Sequence, residues 1–60
     1  MPEWVLVLVM SMMINGSVKQ SVTFHYHDTF YECVSMKQFY HALRVDYDYI
    51  SCDLRNEWGI

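Results

Sequence analysis

Residues 4–27 decide the fold of this 60-residue chain: they read WVLVLVMSMMI-NG-SVKQSVTFHYH. The dipeptide Asn15-Gly16 separates two runs that are rich in β-forming residues, and it is the strongest short-range signal for a β-hairpin. Both residues tolerate the positive φ that a type I′ turn requires. The sequence therefore predicts a strand at about residues 3–14, a turn at 15–16 and a second strand at about 17–27.

A two-residue loop also fixes the register of the hairpin, because Ile14 must then pair with Ser17. The odd-numbered residues of the first strand form an apolar face, here called the valine face, with the even-numbered residues of the second. Its members are Val5, Val7, Val9, Ser11 and Met13, opposite Tyr26, Phe24, Val22, Gln20 and Val18. The other side, here called the leucine face, sets Trp4, Leu6, Leu8, Met10 and Met12 opposite His27, His25, Thr23, Ser21 and Lys19. A shift of one residue would destroy this segregation.

The segment after the hairpin predicts a helix at about residues 29–44. Asp28 is a good N-cap, and no Gly or Pro interrupts the chain from Phe30 to Arg44. Apolar residues recur at spacings of three and four, which marks one helical face. They are Phe30, Cys33, Met36, Tyr40 and Leu43.

A third strand is predicted at about residues 46–54, followed by a tail at 55–60. Its alternation puts Ile50, Cys52 and Leu54 on one face and Tyr47 and Tyr49 on the other. The first strand is apolar on both faces, as a central strand should be. We therefore expect one α+β domain over residues 1–60, a two-layer β-β-α-β fold with a three-stranded antiparallel sheet in the order 2-1-3. The single helix is expected to cover the valine face.

This arrangement would leave the leucine face without cover from the chain itself. A 60-residue chain in which 53% of the residues are hydrophobic has little interior to hide them. Large apolar patches on small proteins commonly mark interaction sites. We therefore expect a protein partner, a second copy of the chain, or both to bury that face. The predicted interface consists of Trp4, Leu6, Leu8, Met10 and Met12, flanked by Tyr47 and Tyr49.

The chain has two cysteines, Cys33 and Cys52, each on the predicted core face of its element. A disulfide between them would close a 19-residue span and would contribute about 3 kcal/mol. Such a bond requires oxidising conditions, and the alternative is a pair of buried thiols that act as small hydrophobic residues.

No pattern in the sequence indicates catalysis, so no catalytic residue, cofactor or small-molecule substrate is predicted. His25 and His27 share a strand face, but zinc needs three or four ligands and His41 belongs to the helix. No metal site is therefore expected, although a zinc site shared across a dimer is an alternative. Asp46 and Asp48 alone are a weak signal for a divalent cation.

Charge and hydropathy argue against nucleic acid and membrane partners. The formal net charge is −3, from four Lys and Arg against seven Asp and Glu, so the basic groups that bind phosphates are scarce. Mimicry of DNA by the acidic C-terminal part is the alternative. The apolar run 4–14 has eleven residues, about half of a membrane span, and is expected to be a strand rather than a signal peptide.

The Trp-Val-Leu-Val-Leu opening, the Asn-Gly turn, the helix with one Cys and the final Ser-Cys strand resemble short uncharacterised proteins encoded by bacteriophages. The resemblance implies a small non-enzymatic protein that binds and modulates or inhibits a host protein. The alternative is a minor structural or assembly subunit of a virus particle. The corresponding locations are the host cytoplasm or the virion.

Overall fold

The computed structural model describes residues 3–59, so that residues 1, 2 and 60 of the predicted domain lie outside the described residues. The chain forms a three-stranded antiparallel sheet in the order β2-β1-β3 with one α-helix, which confirms the predicted α+β fold and strand order. The elements are β1 (Trp4–Ile14), β2 (Ser17–His27), α1 (Phe30–Ala42), β3 (Tyr49–Leu54) and a 3-10 helix (Arg55–Trp58).

The hairpin has the predicted register over its whole length. Val7 pairs with Phe24, and Ile14 pairs with Ser17 beside the turn. Asn15 and Gly16 have φ values of 51° and 79°, as a type I′ turn requires. The two-residue loop therefore fixes the faces of β1 and β2 as the sequence predicted.

The helix begins one residue later than expected, so the prediction of Asp28 as N-cap is wrong. Thr29 is the N-cap, and its hydroxyl accepts a hydrogen bond from the backbone N–H of Glu32 at 3.1 Å. Thr29 and Glu32 stand at the spacing of a capping box. At the other end, α1 stops at Ala42, and Arg44 adopts a left-handed conformation with φ 56°.

Strand β3 begins at Tyr49 rather than at residue 46, and it pairs with the first half of β1 only. Leu6 lies opposite Cys52, and Val9 lies opposite Tyr49. Directly opposed residues of antiparallel strands share a face. Cys52 is therefore on the leucine face, and Tyr49 is on the valine face, the reverse of the predicted phase between β1 and β3.

The helix covers the leucine face, so the prediction that it covers the valine face is wrong. Phe30 of α1 lies against Trp4, with ring centroids 4.7 Å apart, and the Cα atoms of Cys33 and Cys52 are 6.0 Å apart. Leu6 is 0% exposed and Leu8 is 5% exposed. The physical reason is that β1 is apolar on both sides, so its pattern alone does not select the face that receives the helix.

The 3-10 helix covers part of the valine face. The Trp58 ring lies 5.7 Å from the ring of Phe24, and its Nε1–H donates to Asp53 Oδ2 at 2.8 Å. Phe24 is the cross-strand neighbour of Val7, which is fully buried, as is Val5. The centre of the sheet beside β3, at Val5 and Val7, is thus covered on both sides, with α1 on one and Trp58 on the other.

Candidate functional site: an exposed face of the sheet

The residues of the predicted interface do not form one surface. Leu6 and Leu8 are buried beneath α1, whereas Met12 is exposed beyond the end of the helix. Tyr49 lies on the opposite face of the sheet. Tyr47 lines a shallow cleft of about 230 Å³ beside the helix. The leucine face is therefore occupied by the chain's own helix and offers no continuous surface to a partner.

On the valine side of the sheet, the apolar side chains that stay exposed form a surface here called the distal valine face. It consists of Met13, Val18, Val22, Tyr26 and Tyr49. These side chains are between 48% and 70% exposed. Met13 and Val18 are exposed because β3 pairs only with residues 4–9 of β1 and leaves the end of the hairpin without a third strand. Tyr26 lies opposite Val5 on the outer strand β2.

Cross-strand pairing arranges the distal valine face in rows. Val9 lies opposite Val22 on one side and opposite Tyr49 on the other, so it joins the three strands. Met13 lies opposite Val18 nearer the turn. Opposed side chains in antiparallel strands have Cβ atoms about 5 Å apart, so each row is a local apolar patch. The polar pair Ser11 and Gln20, which holds the Asp48 carboxylate, lies between the two rows.

The strand positions of the valine face carry one charged side chain, Asp53. Its carboxylate is occupied, because Oδ2 accepts hydrogen bonds from Ser51 and from Trp58, both at 2.8 Å. No Lys or Arg occupies a strand position on this face. The Asp48 carboxylate, held by Ser11 and Gln20, also lies on this face, so the surface combines hydrocarbon and aromatic groups with one exposed negative charge.

Residues 10–21 form a two-stranded arm that extends beyond β3 and is apolar on both sides. Met12 and Ile14 are exposed on the leucine side, opposite to Met13 and Val18. The root of the arm is tied to the chain by Asp48, whose backbone N–H donates to the carbonyl of Val9 at 2.8 Å.

The Asp48 side chain makes further contacts with this arm. Its Oδ2 accepts hydrogen bonds from the Ser11 hydroxyl and, at 3.3 Å, from the amide of Gln20. These neutral donors account for the position of the carboxylate. In the sequence, Asp48 and Asp46 are a weak signal for a divalent cation.

The histidines do not assemble with other ligands. His25 lies against Tyr40, with ring centroids 6.5 Å apart, and His27 borders a cleft of about 310 Å³ between β2 and the helix. Nε2 of His27 is buried without a hydrogen-bond partner. Within residues 3–59, no group of three or more His, Cys, Asp or Glu side chains is arranged to hold a metal ion.

The cysteines lie within disulfide reach, as predicted. Cys33 of α1 and Cys52 of β3 have their sulfur atoms at bonding distance and their Cα atoms 6.0 Å apart, which is typical of a disulfide. The pair ties the helix to the outer strand of the sheet. It is a structural link, because Cys33 is fully buried and a reactive cysteine needs exposure.

Comparisons with protein-family models, with curated proteins and with solved structures find no match to this chain. Among the described residues, no helix combines the length and the apolar character needed to cross a bilayer.

Proposed function

We propose that this protein is a small non-enzymatic interaction protein that binds another protein through the distal valine face. The observation that carries the proposal is the exposure of five large apolar side chains on one face of the sheet, around the polar pair Ser11 and Gln20 that holds the Asp48 carboxylate. Such a patch on a small chain is typical of a protein-binding surface.

The size of the patch supports a specific contact. Tyr26, Tyr49 and the neighbouring Trp58 are each 42–50% exposed, and together they offer on the order of 300 Å² if a fully exposed ring has 150–250 Å². Met13, Val18 and Val22 add roughly 200 Å² by the same kind of estimate. A partner that covers this surface would bury about 1,000 Å² in total, which is the lower bound for a specific interface.

The energy of this contact is moderate. Burial of roughly 500 Å² of apolar surface contributes about 12 kcal/mol at 25 cal/mol per Å². The loss of translational and rotational freedom costs about 4–15 kcal/mol. The patch alone therefore supports weak to intermediate affinity, and contacts from the arm, whose exposed tip contains Met12 and Ile14, would add to it.

The proposed role is modulation or inhibition of a host protein, as the resemblance to phage proteins implies. A partner with an apolar patch fits the chemistry of the distal valine face. The second candidate function is that of a subunit in a larger assembly. It is favoured by the outer edge of β2, which has no neighbouring strand within the described sheet.

Site-specific photo-crosslinking tests the proposal with a matched pair of positions. Tyr49 on the distal valine face and Phe39 on α1 are 50% and 53% exposed, so a photoreactive phenylalanine at either position is equally accessible. In the cell that produces the protein, we expect a discrete protein adduct from position 49 and none from position 39.

A second substitution shows whether the adduct depends on the face. Val22→Lys should abolish the adduct, because it buries a charge in the contact, whereas Tyr31→Lys on the exposed side of α1 should preserve it. Equal adduct yields from positions 49 and 39, or an adduct that is insensitive to Val22→Lys, would refute the proposed surface.

A further inference from the structure

The outer edge of β2 is open along its whole length. β1 occupies the centre of the sheet and β3 lies on its far side, so β2 has one neighbour among the described strands. The strand has eleven residues, about twice the usual length of a strand. An edge of this kind presents a row of unpaired backbone groups.

The hydrogen bonds of β1 identify which groups of β2 point outward. The carbonyls of Glu3 and Val9 accept bonds from Arg55 and Asp48, both at 2.8 Å, so odd-numbered residues at both ends of the segment that pairs with β3 bond toward the β3 side. Antiparallel strands alternate the direction of these groups, so the even-numbered residues of β1 bond to β2.

The β2 residues opposite those even-numbered positions are odd-numbered, and their backbone groups face β1. The even-numbered residues of β2 must therefore direct their N–H and C=O groups away from the sheet. These residues are Val18, Gln20, Val22, Phe24 and Tyr26.

The usual devices that protect an edge strand are missing from β2. It contains no proline, and its pairing with β1 runs through all eleven positions without a bulge. Lys19 is its one lysine, and no arginine accompanies it. Natural sheets block long edges with prolines, bulges or several charges, so the edge of β2 is open to pairing with another strand.

We propose that β2 pairs with β2 of a second copy, antiparallel and about a two-fold axis at Val22. In this register Gln20 faces Phe24 of the second copy, and Val18 faces Tyr26. All five outward-facing residues of each copy then bond across the axis. Each of their ten N–H groups donates to one C=O group of the other copy, so about ten hydrogen bonds form. Any other register pairs fewer of them. The product is a continuous six-stranded sheet.

The charges and the helices are compatible with this register. Lys19 faces His25 of the second copy and not its own equivalent, and Ser21 faces Thr23. Both helices lie on the same side of the joined sheet. The two β1 strands that they cover are about 14 Å apart, at 4.7–4.9 Å per strand, whereas packed helices need only 8–10 Å.

The dimer also bears on the binding surface, although it does not depend on the proposed partner. Outward-facing residues of β2 carry their side chains on the valine face. The two distal valine faces therefore meet side by side at the two-fold axis and remain open. A pair of patches that are each marginal in area becomes one surface about twice as large.

Sedimentation velocity of the purified full chain tests the proposal with the variants Gln20→Pro and Gln20→Ala. Both variants lose the amide contact with Asp48, but only proline removes the outward N–H and places a ring on the edge. The bonds between β1 and β2 do not use that N–H. We expect wild type and Gln20→Ala to dimerise at micromolar concentrations, and Gln20→Pro to sediment as a folded monomer with at least a tenfold weaker dimer.

Amide hydrogen exchange in the wild type provides the second measurement, which holds even where the proline variant does not fold. The N–H groups of Val18, Gln20, Val22, Phe24 and Tyr26 should exchange at least tenfold more slowly at high than at low protein concentration. A wild type that is monomeric at all concentrations would overturn the proposal. A dimer whose five edge amides exchange at a concentration-independent rate, or one that persists in folded Gln20→Pro, would also overturn it.

Discussion

Replacing both cysteines, as Cys33→Ala and Cys52→Ala in one chain, removes the link between α1 and β3. The two residues are 19 positions apart in the sequence, and a cross-link over such a loop lowers the entropy of the unfolded chain by the equivalent of about 3 kcal/mol. Alanine leaves little void, so the lost loop constraint should dominate the change. We expect the free energy of unfolding to fall by about 3 kcal/mol.

A loss of this size is severe for so short a chain. At roughly 0.05–0.15 kcal/mol per residue, the whole domain has about 3–9 kcal/mol of stability. A small domain loses about 4–8 °C in melting temperature per kcal/mol. The double variant should therefore melt roughly 12–25 °C below the oxidised wild type.

Chemical denaturation followed by circular dichroism measures the effect, with the reduced wild type as the control. The free energies of unfolding of the reduced wild type and the double variant should agree within about 1 kcal/mol, since both lack the bond. The oxidised wild type should weigh less than the reduced wild type by two hydrogen atoms. If the free energy of unfolding of the double variant is less than about 1 kcal/mol below that of the oxidised wild type, the role assigned to the bond is refuted.

Two further predictions follow from the cap and from the covered face. Thr29→Ala should cost about 1 kcal/mol of stability in denaturation, because it removes the acceptor of the first turn, whereas Asp28→Ala should cost less than about 0.5 kcal/mol; equal effects would contradict the assignment of the cap. Leu6→Ala should cost about 2–5 kcal/mol, while Val22→Ala should change the stability of the monomer by about 1 kcal/mol or less. The reverse order would mean that Val22 is buried and Leu6 is exposed.

The hairpin could be predicted from the sequence because its determinants are local. Asn15-Gly16 selects a two-residue turn, the turn fixes the pairing, and the pairing fixes every face of β1 and β2. The order of the strands followed from β1, which is apolar on both sides. The disulfide pairing could be predicted because the chain has two cysteines, each on the inner face of its element.

The side of the sheet that receives the helix could not be predicted in the same way. β3 is joined to the hairpin through α1, so no short turn fixes its register against β1. A shift of one residue in that register moves Cys52 from the leucine face to the valine face, and moves Tyr49 the other way. Both faces of β1 look like a core, and the choice depends on tertiary packing of Phe30 and Cys33 against Trp4 and Cys52.

The same ambiguity decided where the predicted interface was placed. The sequence predicted that one apolar face of the sheet lacks cover, but it selected the leucine face, where Leu6 and Leu8 are in fact buried. It also treated residues 55–60 as a tail, since a short 3-10 helix has no periodic signal. The one residue that could have indicated otherwise is Trp58, a large ring that lies over Phe24.

Solvent paramagnetic relaxation of methyl groups can show that the helix covers the leucine face and leaves the distal valine face exposed. With a soluble gadolinium chelate and methyl-labelled protein, we expect strong relaxation at Val18 and Val22, which are 66% and 51% exposed. Leu6 and Leu8, beneath the helix, should be relaxed weakly. Strong relaxation at Leu6 and Leu8 together with protection of Val18 and Val22 would instead place the helix on the valine face and refute the assignment of the two faces.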